Sequence, residues 1–288
     1  MTAARVFDDR PCALGEGPLW HPMRAQLFWF DITGRRMLSR KGEAVQEWHF
    51  SEMVSAAGWV TRDDLLIASE SRLFRFNLET GAQHDLCALE ADRPGNRSND
   101  GRADPQGGFW IGTMGKTADP GAGAIWRWHR GTLRRLWGGI TISNAISFPP
   151  GGDFAQFTDT RTRRLMRVAL DGEGWPRGEP ACFLDLGPEG LNPDGAVIDA
   201  DGCTWVAEWG AGRVACHGPD GALLATVGFP APHTSCPAFG GADLSTLYVT
   251  TALQGMDDAA RAAHPLAGRT FAAPTAAHGQ AESRVILP

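Results

Sequence analysis

The sequence lacks any long apolar run, and no stretch of it approaches the roughly 20 apolar residues that a membrane span needs. Its first residues, MTAARVFDDRPC, contain no apolar core of signal-peptide length, so we expect a soluble, cytoplasmic protein without a membrane partner. Long basic runs are also missing, and the net charge of the 288 residues is −6. Because an acidic protein without a basic patch is not attracted to nucleic acid, we expect no nucleic-acid partner either.

Clustered metal-binding and nucleophile motifs are missing too. The six cysteines form no C-x-x-C pair, and the eight histidines form no H-x-H or H-E-x-x-H pattern. A zinc site built from nitrogen and sulfur is therefore not expected, and the thiols are interpreted as buried and reduced. The sequence contains no G-x-S-x-G nucleophile elbow, glycine-rich phosphate loop or dinucleotide fingerprint. A covalent serine mechanism therefore has no support.

Long amphipathic segments are nearly absent, and only DDAARAAH (257–264) predicts a helix. The chain instead contains short apolar runs separated by glycine and proline, a pattern typical of β-strands. The clearest are QLFWFDI (26–32), DLLIASE (64–70), GFWIGTM (108–114), CTWVAEW (203–209) and STLYVTT (245–251). We therefore predict an all-β protein.

These strands belong to a repeat. In its two clearest copies an anchor residue is followed 5, 8 and 11 residues later by Asp, Gly and Trp: Asp194, Asp199, Gly202 and Trp205, and Asn99, Asp104, Gly107 and Trp110. Looser copies extend the series to six anchors, 39 to 50 residues apart: Glu16, Ser55, Asn99, Asn144, Asp194 and Cys236. Because this is the length of a propeller blade, we predict a single six-bladed β-propeller domain over residues 1–288, with four-stranded blades around a central channel. A β-sandwich with accidental spacing is the alternative.

The two ends of the chain suggest how the propeller closes. AARVFDD (3–9) and SRVILP (283–288) are both strand-like. We predict that they complete one shared blade.

Four of the anchors carry a carboxylate or an amide group: Glu16, Asn99, Asn144 and Asp194. If each anchor lies at the mouth of its blade's innermost strand, these side chains converge on the channel axis. Two carboxylates and two amides in a narrow channel would repel or stay unsatisfied unless a cation bound among them. Each residue alone could be an ordinary turn acid or turn amide. Their common phase with the blade repeat favours a metal site.

The motifs at these positions are LGEGPLW (14–20), RSNDGRADPQGGFWIGTM (97–114), ISNAISF (142–148), NPDGAVIDADG (192–202), WGAGRV (209–214) and CPAFGGADLSTLYVTTA (236–252). In this order they resemble the senescence-marker-protein/gluconolactonase family of regucalcin-like sugar lactonases over nearly the whole chain. The resemblance implies a six-bladed propeller whose metal ligands are Glu16, Asn144 and Asp194, with Asp194 also acting as the general base. It implies substrate contacts at Arg97 and Asn99. We add the next residue, Asp100, as a substrate-binding candidate and the rival base.

The chain departs from the family in the loop after the G-T-M motif. Animal members carry an acidic residue there, near the substrate hydroxyls, whereas this chain has Gly115, Lys116 and Thr117. We include Lys116 among the substrate-binding candidates, although a lysine on such a loop is more often solvated. Trp209 could wall the channel or pack within its blade, and Arg97 could be a surface ion-pair partner.

These assignments predict a divalent-metal-dependent lactonase that opens sugar-acid lactones such as pentono- or hexonolactones. Three protein ligands leave room on one cation (Ca²⁺, Mg²⁺, Mn²⁺, Zn²⁺ or Fe²⁺) for water and the substrate carbonyl. We expect a monomer whose partner is this small, hydroxyl-rich molecule. Two other functions remain open: a phosphotriesterase-like hydrolase on the same metal site, and a non-catalytic propeller that binds a protein or small ligand.

Overall fold

Short antiparallel sheets make up almost the whole fold. A computed structural model describes residues 4–288, and within them 24 strands form six four-stranded sheets. The first strands of successive sheets contact one another in a closed ring, so the sheets surround a central channel. This arrangement confirms the predicted six-bladed β-propeller.

The elements have the following bounds: β1 (Arg5–Asp8), β2 (Gly15–His21), β3 (Gln26–Asp31), β4 (Arg36–Lys41), β5 (Ala44–His49), β6 (Val54–Trp59), β7 (Asp64–Ser69), β8 (Arg72–Asn77), β9 (Gln83–Ala88), β10 (Asn96–Ala103), β11 (Phe109–Gly115), β12 (Gly123–His129), β13 (Thr132–Ile140), β14 (Ser143–Ser147), β15 (Phe154–Asp159), a 3₁₀ turn (Thr160–Thr162), β16 (Arg164–Leu170), β17 (Pro176–Asp185), β18 (Asn192–Ile198), β19 (Thr204–Trp209), β20 (Arg213–His217), β21 (Leu223–Gly228), β22 (Thr234–Gly240), β23 (Thr246–Thr251), α1 (Asp258–Ala263) and β24 (Thr270–Pro274). Blades 1 to 5 are β2–β5, β6–β9, β10–β13, β14–β17 and β18–β21. Blade 6 contains β22, β23, β24 and, at its outer edge, β1.

The one α-helix of the described residues, α1, lies within the predicted segment 257–264. It begins after Asp257, whose side chain accepts a hydrogen bond from the Ala260 N–H. Such an N-cap satisfies one of the free N–H groups of the first turn. None of the helices in residues 4–288 has the length and apolar character to cross a membrane.

Every innermost strand is irregular at its anchor. The register of β2 shifts between Glu16 and Leu19, and equivalent shifts occur at the anchors of the other five blades. A bulge interrupts the alternation of side chains and re-aims the residue beside it, here toward the channel. Close packing of the blades also needs a glycine after two of the anchor acids. A Cβ on Gly17 would lie 2.3 Å from the Ser55 carbonyl oxygen, and one on Gly195 would lie 2.3 Å from Cys236 Sγ.

The apolar faces of neighbouring blades form the core. Phe28 and Phe30 of blade 1 pack with Ile67 and Phe74 of blade 2 in one cluster, and similar clusters fill the other blade interfaces. This burial between the blades is the main stabilising contribution expected for such repeats, because a lone blade leaves both faces exposed.

The prediction for the chain ends is half right. Strand β1 does complete the last blade by pairing with β24. The segment 283–288 is not a strand of that blade but belongs to a tail, residues 275–288, that crosses the end of the channel opposite the anchors. Gln280 donates to the Phe148 and Ile198 carbonyls at 2.7 and 3.0 Å, and the Val285 N–H donates to the Trp59 carbonyl at 2.9 Å. The tail thus contacts the ends of three innermost strands and closes the base of the channel.

Candidate active site

A cavity of about 350 Å³ lies at the end of the channel where the innermost strands begin. Its lining includes six of the seven predicted site residues, from four blades: Glu16, Arg97, Asn99, Lys116, Asn144 and Asp194. The seventh, Asp100, is not part of the lining. Residues that the sequence did not single out complete the wall: Leu14, Met114, Thr117, Ala118, Ile142, Thr160 and Gln254.

Two buried carboxylates dominate the electrostatics of this cavity. Glu16 and Asp194 are 4% and 5% exposed. Burial raises the pKa of Glu16 to about 8, with a further contribution from Asp100. Burial also raises the pKa of Asp194 well above its usual value, and the neighbouring charges of Glu16 and Asp100 add to this. Both effects disfavour the ionised form, so the site favours any cation that would neutralise the pair.

A chain of hydrogen bonds connects three blades across the cavity. Arg97 Nη1 donates to Asn99 Oδ1 at 2.6 Å, and Asn99 Nδ2 donates to Asn144 Oδ1 at 2.9 Å. Asn144 Nδ2 then donates to Thr160 Oγ1 at 2.9 Å, and this hydroxyl donates to the Pro193 carbonyl at 2.7 Å. Thr160 therefore fixes the Asn144 amide and ties it to the strand that carries Asp194. Sequence reasoning missed Thr160, because a single threonine outside the repeated motifs is not a distinctive signal.

Arg97 is buried, with 5% of its surface exposed, so the surface ion-pair interpretation is wrong. Among residues 4–288, only Nη1 of its guanidinium donates to protein acceptors. These acceptors are Asn99 Oδ1 and, at 2.9 Å, the Ser98 carbonyl. Burial lowers the pKa of Arg97 to about 10, and the charges of Glu16 and Asp194 oppose that effect. The group stays protonated at neutral pH, with Nε and Nη2 remaining as donors.

The rim of the cavity holds a lysine and a tryptophan. Lys116 Nζ donates to the Pro94 carbonyl at 2.9 Å and lies 3.2 Å from Glu70 Oε2, with one third of the side chain exposed. Trp209 lines the cavity and stacks on His233, with ring centroids 4.3 Å apart and an angle of 10° between the rings. Trp209 is thus a wall of the channel mouth rather than a residue packed only within its blade.

Asp100 lies beneath the cavity in a second buried cluster. Its Oδ2 accepts the Ile146 N–H at 2.6 Å, and burial raises its pKa to about 6. Beside it, Arg102 forms an ion pair with Glu282 of the tail and donates to the Ile146 and Ala196 carbonyls at 3.3 and 3.4 Å. Those carbonyls lie two residues beyond Asn144 and Asp194. The tail therefore braces both strands from below.

The side chains at the channel mouth fit a divalent cation bound by oxygen atoms. Glu16 and Asp194 each supply a carboxylate, and the Asn144 carbonyl oxygen has a second lone pair beyond the one that accepts from Asn99. Hard divalent cations prefer carboxylate and amide oxygens of this kind. Two buried carboxylates, with Glu16 raising the pKa of Asp194, are also the arrangement that such a cation would stabilise.

Comparison with known proteins identifies relatives along nearly the whole chain. A family model described as "SMP-30/Gluconolactonase/LRE-like region" matches residues 14–253. A Rhizobium meliloti protein provisionally named a sugar lactone lactonase is 44% identical over 274 residues, covering 93% of this chain and 92% of that protein. An L-arabinolactonase from Azospirillum brasilense is 34% identical over 291 residues, covering 98% and 95%.

The three-dimensional structure also matches that of a known protein. A crystal structure described as a calcium-binding protein, regucalcin, from Agrobacterium tumefaciens aligns with a TM-score of 0.97 and 40% identity, covering 99% of this chain and 98% of that one. The match extends over nearly the whole chain, so the two proteins share the propeller fold.

Proposed function

Because the chain belongs to the SMP-30/gluconolactonase/LRE-like family, we propose that it hydrolyses sugar-acid lactones with one divalent cation held by Glu16, Asn144 and Asp194. The observation that carries the proposal is that two buried carboxylates and an amide oxygen face one cavity beside Arg97. The relatives named as lactonases support the same reaction class. The regucalcin described as calcium-binding supports a metal, without fixing its identity.

We assign a separate role in this reaction to each of these residues. Arg97 and Asn99 line the cavity and hold oxygen-bearing groups of the lactone, Arg97 as a donor through Nε and Nη2 and Asn99 as an acceptor through the second lone pair of Oδ1. When bound, the cation supplies Lewis acidity for the carbonyl and lowers the pKa of water. Asp194 accepts the proton of the attacking water as the general base. The same proton then passes to the ring oxygen as the acyl C–O bond breaks, so water is added across the ester and an open-chain hydroxy acid is released.

The rest of the lining suits a small, neutral, hydroxylated ligand. Trp209, Met114 and Ile142 give an apolar wall, and Gln254, Thr117 and Lys116 place polar groups around it. Pockets with this mixture orient a ligand through a few hydrogen bonds while apolar contacts exclude water. We propose pentono- and hexonolactones as the substrate class, and the relative named as an L-arabinolactonase supports the five-carbon members.

A substrate panel tests this function directly. Purified protein with added divalent metal is incubated with pentonolactones, hexonolactones or a paraoxon-type phosphotriester, and acid release is followed with a pH indicator. The no-enzyme rate is subtracted, since lactones open spontaneously. Faster opening of lactones alone supports the proposal. Preferred turnover of the phosphotriester would favour the phosphotriesterase-like alternative, and no turnover of any compound would favour a binding propeller.

A further inference from the structure

A second cluster of metal-ligating atoms lies in blade 5, at the far end of β18 from Asp194. Asp199 follows β18, Cys203 precedes β19, and Cys216 lies in β20. One carboxylate oxygen and the two sulfur atoms all lie within 4.8 Å of one another. Asp199 and Cys216 are buried, whereas Cys203 is partly exposed. None of these residues lines the cavity at the channel mouth.

Blade 3 contains the same structural position with different side chains. Asp104 occupies the position of Asp199, and in both blades Oδ1 accepts two backbone N–H groups of the following turn. Arg127 pairs with Trp110 across β11 and β12, as Cys216 pairs with Trp205 across β19 and β20. The repeat therefore places a cysteine in blade 5 where blade 3 has an arginine.

This exchange leaves the two aspartates with different partners. In blade 3, Arg127 Nε lies 2.6 Å from Asp104 Oδ2, and both side chains are fully buried. In blade 5, Asp199 is 2% exposed, and the one donor to its Oδ2 within residues 4–288 is the Trp205 indole N–H, at 2.8 Å. Among residues 4–288, no arginine, lysine or histidine forms an ion pair with Asp199. The blade 5 copy therefore lacks the positive charge that Arg127 supplies in blade 3. Because a buried carboxylate without a cation is costly, a bound cation would stabilise the blade 5 copy.

We propose that Asp199, Cys203 and Cys216 bind a thiophilic divalent cation of the Zn²⁺ class, with water as the fourth ligand. Atoms that share one tetrahedral zinc lie about 3.5 to 3.8 Å apart, given metal–sulfur bonds of about 2.3 Å and metal–oxygen bonds of about 2.0 to 2.2 Å. The three atoms, all within 4.8 Å of one another, therefore exceed that spacing by at most about 1.0 to 1.3 Å. Cys203, at the partly exposed edge, offers the route by which the ion enters.

The thiols need a cation in order to ionise. Burial raises the pKa of Cys216 to about 12, and burial followed by the charge of Asp199 raises the pKa of Cys203. A bound cation reverses both effects, because thiolate is the form that ligates and metal binding releases the thiol protons. The channel-mouth residues offer only oxygen atoms and prefer harder cations, so the two sites differ in metal preference.

Cobalt(II) distinguishes the two sites, because only thiolate ligation gives an intense sulfur-to-cobalt charge-transfer band in the near ultraviolet. The full-length protein is kept reduced, its free thiols are counted, and it is titrated with cobalt(II) and then with zinc. We expect the band to saturate at about one equivalent and to disappear on addition of zinc, since zinc binds thiolate sites more tightly than cobalt. Cys203→Ser and Cys216→Ser should lose the band, whereas Cys182→Ser, which changes an exposed thiol, should keep it.

Loss of an outer-shell partner alone weakens metal affinity by at least about tenfold. Asp199→Asn, which changes a ligand itself, should therefore weaken cobalt binding by at least about tenfold. Wild-type protein with fully reduced thiols but no band would overturn the proposal, as would a band that persists in both cysteine variants. Lactone hydrolysis by the Cys203→Ser variant should equal that of the wild type. The outcome at this site is therefore separate from that of the proposed lactonase function.

Discussion

Replacing Asp194 by asparagine separates two tasks that the site assigns to one side chain. The asparagine retains an oxygen that can ligate a cation, but it cannot accept the proton of the attacking water. Loss of a general base costs about 10² to 10⁴ in rate, equivalent to about 2.7 to 5.4 kcal/mol in the activation free energy. We therefore expect Asp194→Asn to lose at least about a hundredfold in turnover under saturating metal.

The same substitution has a second effect on the metal-free protein. Burial, Glu16 and Asp100 all raise the pKa of Asp194, so its contribution to the free energy of unfolding is complete below its unfolded pKa and is lost as pH rises through its folded pKa. The raised pKa of Glu16 lowers the free energy of unfolding in the same direction as pH rises from 4.5 to about 8. One such proton changes the free energy of unfolding by at most about 1.4 kcal/mol per pH unit. Without metal, Asp194→Asn should therefore be the more stable protein at pH 8 and should show a smaller decrease in stability between pH 5 and 8.

Lactone opening at saturating metal and urea unfolding of the stripped protein measure the two effects. Asp100→Asn is the matched control, because Asp100 is also buried and adjacent but does not line the cavity. Near wild-type turnover by Asp194→Asn, together with a large loss in Asp100→Asn, would refute this assignment. Asp194 would then be a ligand only, and Asp100 would be the base.

Three further substitutions test the surroundings of these carboxylates. Arg97→Ala should lower kcat/KM through the loss of about 1 to 3 kcal/mol of transition-state binding, as expected for a charged hydrogen bond. The metal content after dialysis should stay unchanged. Thr160→Val removes the hydroxyl that fixes the Asn144 amide, and should weaken metal affinity by about five- to tenfold, or about 1 to 1.4 kcal/mol for one lost hydrogen bond, as measured by calorimetry. Glu282→Gln removes the charge that neutralises buried Arg102, and should lower stability by about 1 to 3 kcal/mol in urea unfolding, with KM unchanged; a rise in KM alone would contradict the bracing role.

Periodic features of the sequence predicted the propeller and the four polar anchors that line the cavity, whereas Arg97 and Lys116 were suggested by the family motifs. The spacing from Asp194 to Trp205 recurs in full from Asn99 to Trp110 and more loosely in the other blades, so a linear pattern located these anchors. Non-periodic contacts could not be found in this way. The tail crosses the channel base through single contacts of the Gln280 side chain, the Glu282 carboxylate and the Val285 N–H, none of which belongs to the blade repeat. Its strand-like sequence suggested a blade strand instead.

The cluster of Cys203 and Cys216 shows the same limit. These residues are 13 positions apart and match no familiar ligand spacing, yet adjacent strands of one blade bring their sulfur atoms together. Gly195 gives a related lesson. Its sequence context suggests a tight turn, whereas the structure shows that it is required by the close approach of Cys236 in the next blade.

Metal removal and replacement test the central claim most directly. Wild-type protein and Glu16→Gln, which keeps the shape of the side chain but removes a ligand charge, are stripped with a chelator and assayed for lactone opening during titration with Ca²⁺, Mg²⁺, Mn²⁺ or Zn²⁺. We predict that the stripped wild type is inactive, that at least one of these cations restores turnover at about one equivalent, and that Glu16→Gln requires a much higher concentration of the same cation. Full activity of the stripped wild type, or equal metal requirements for the two proteins, would contradict the account.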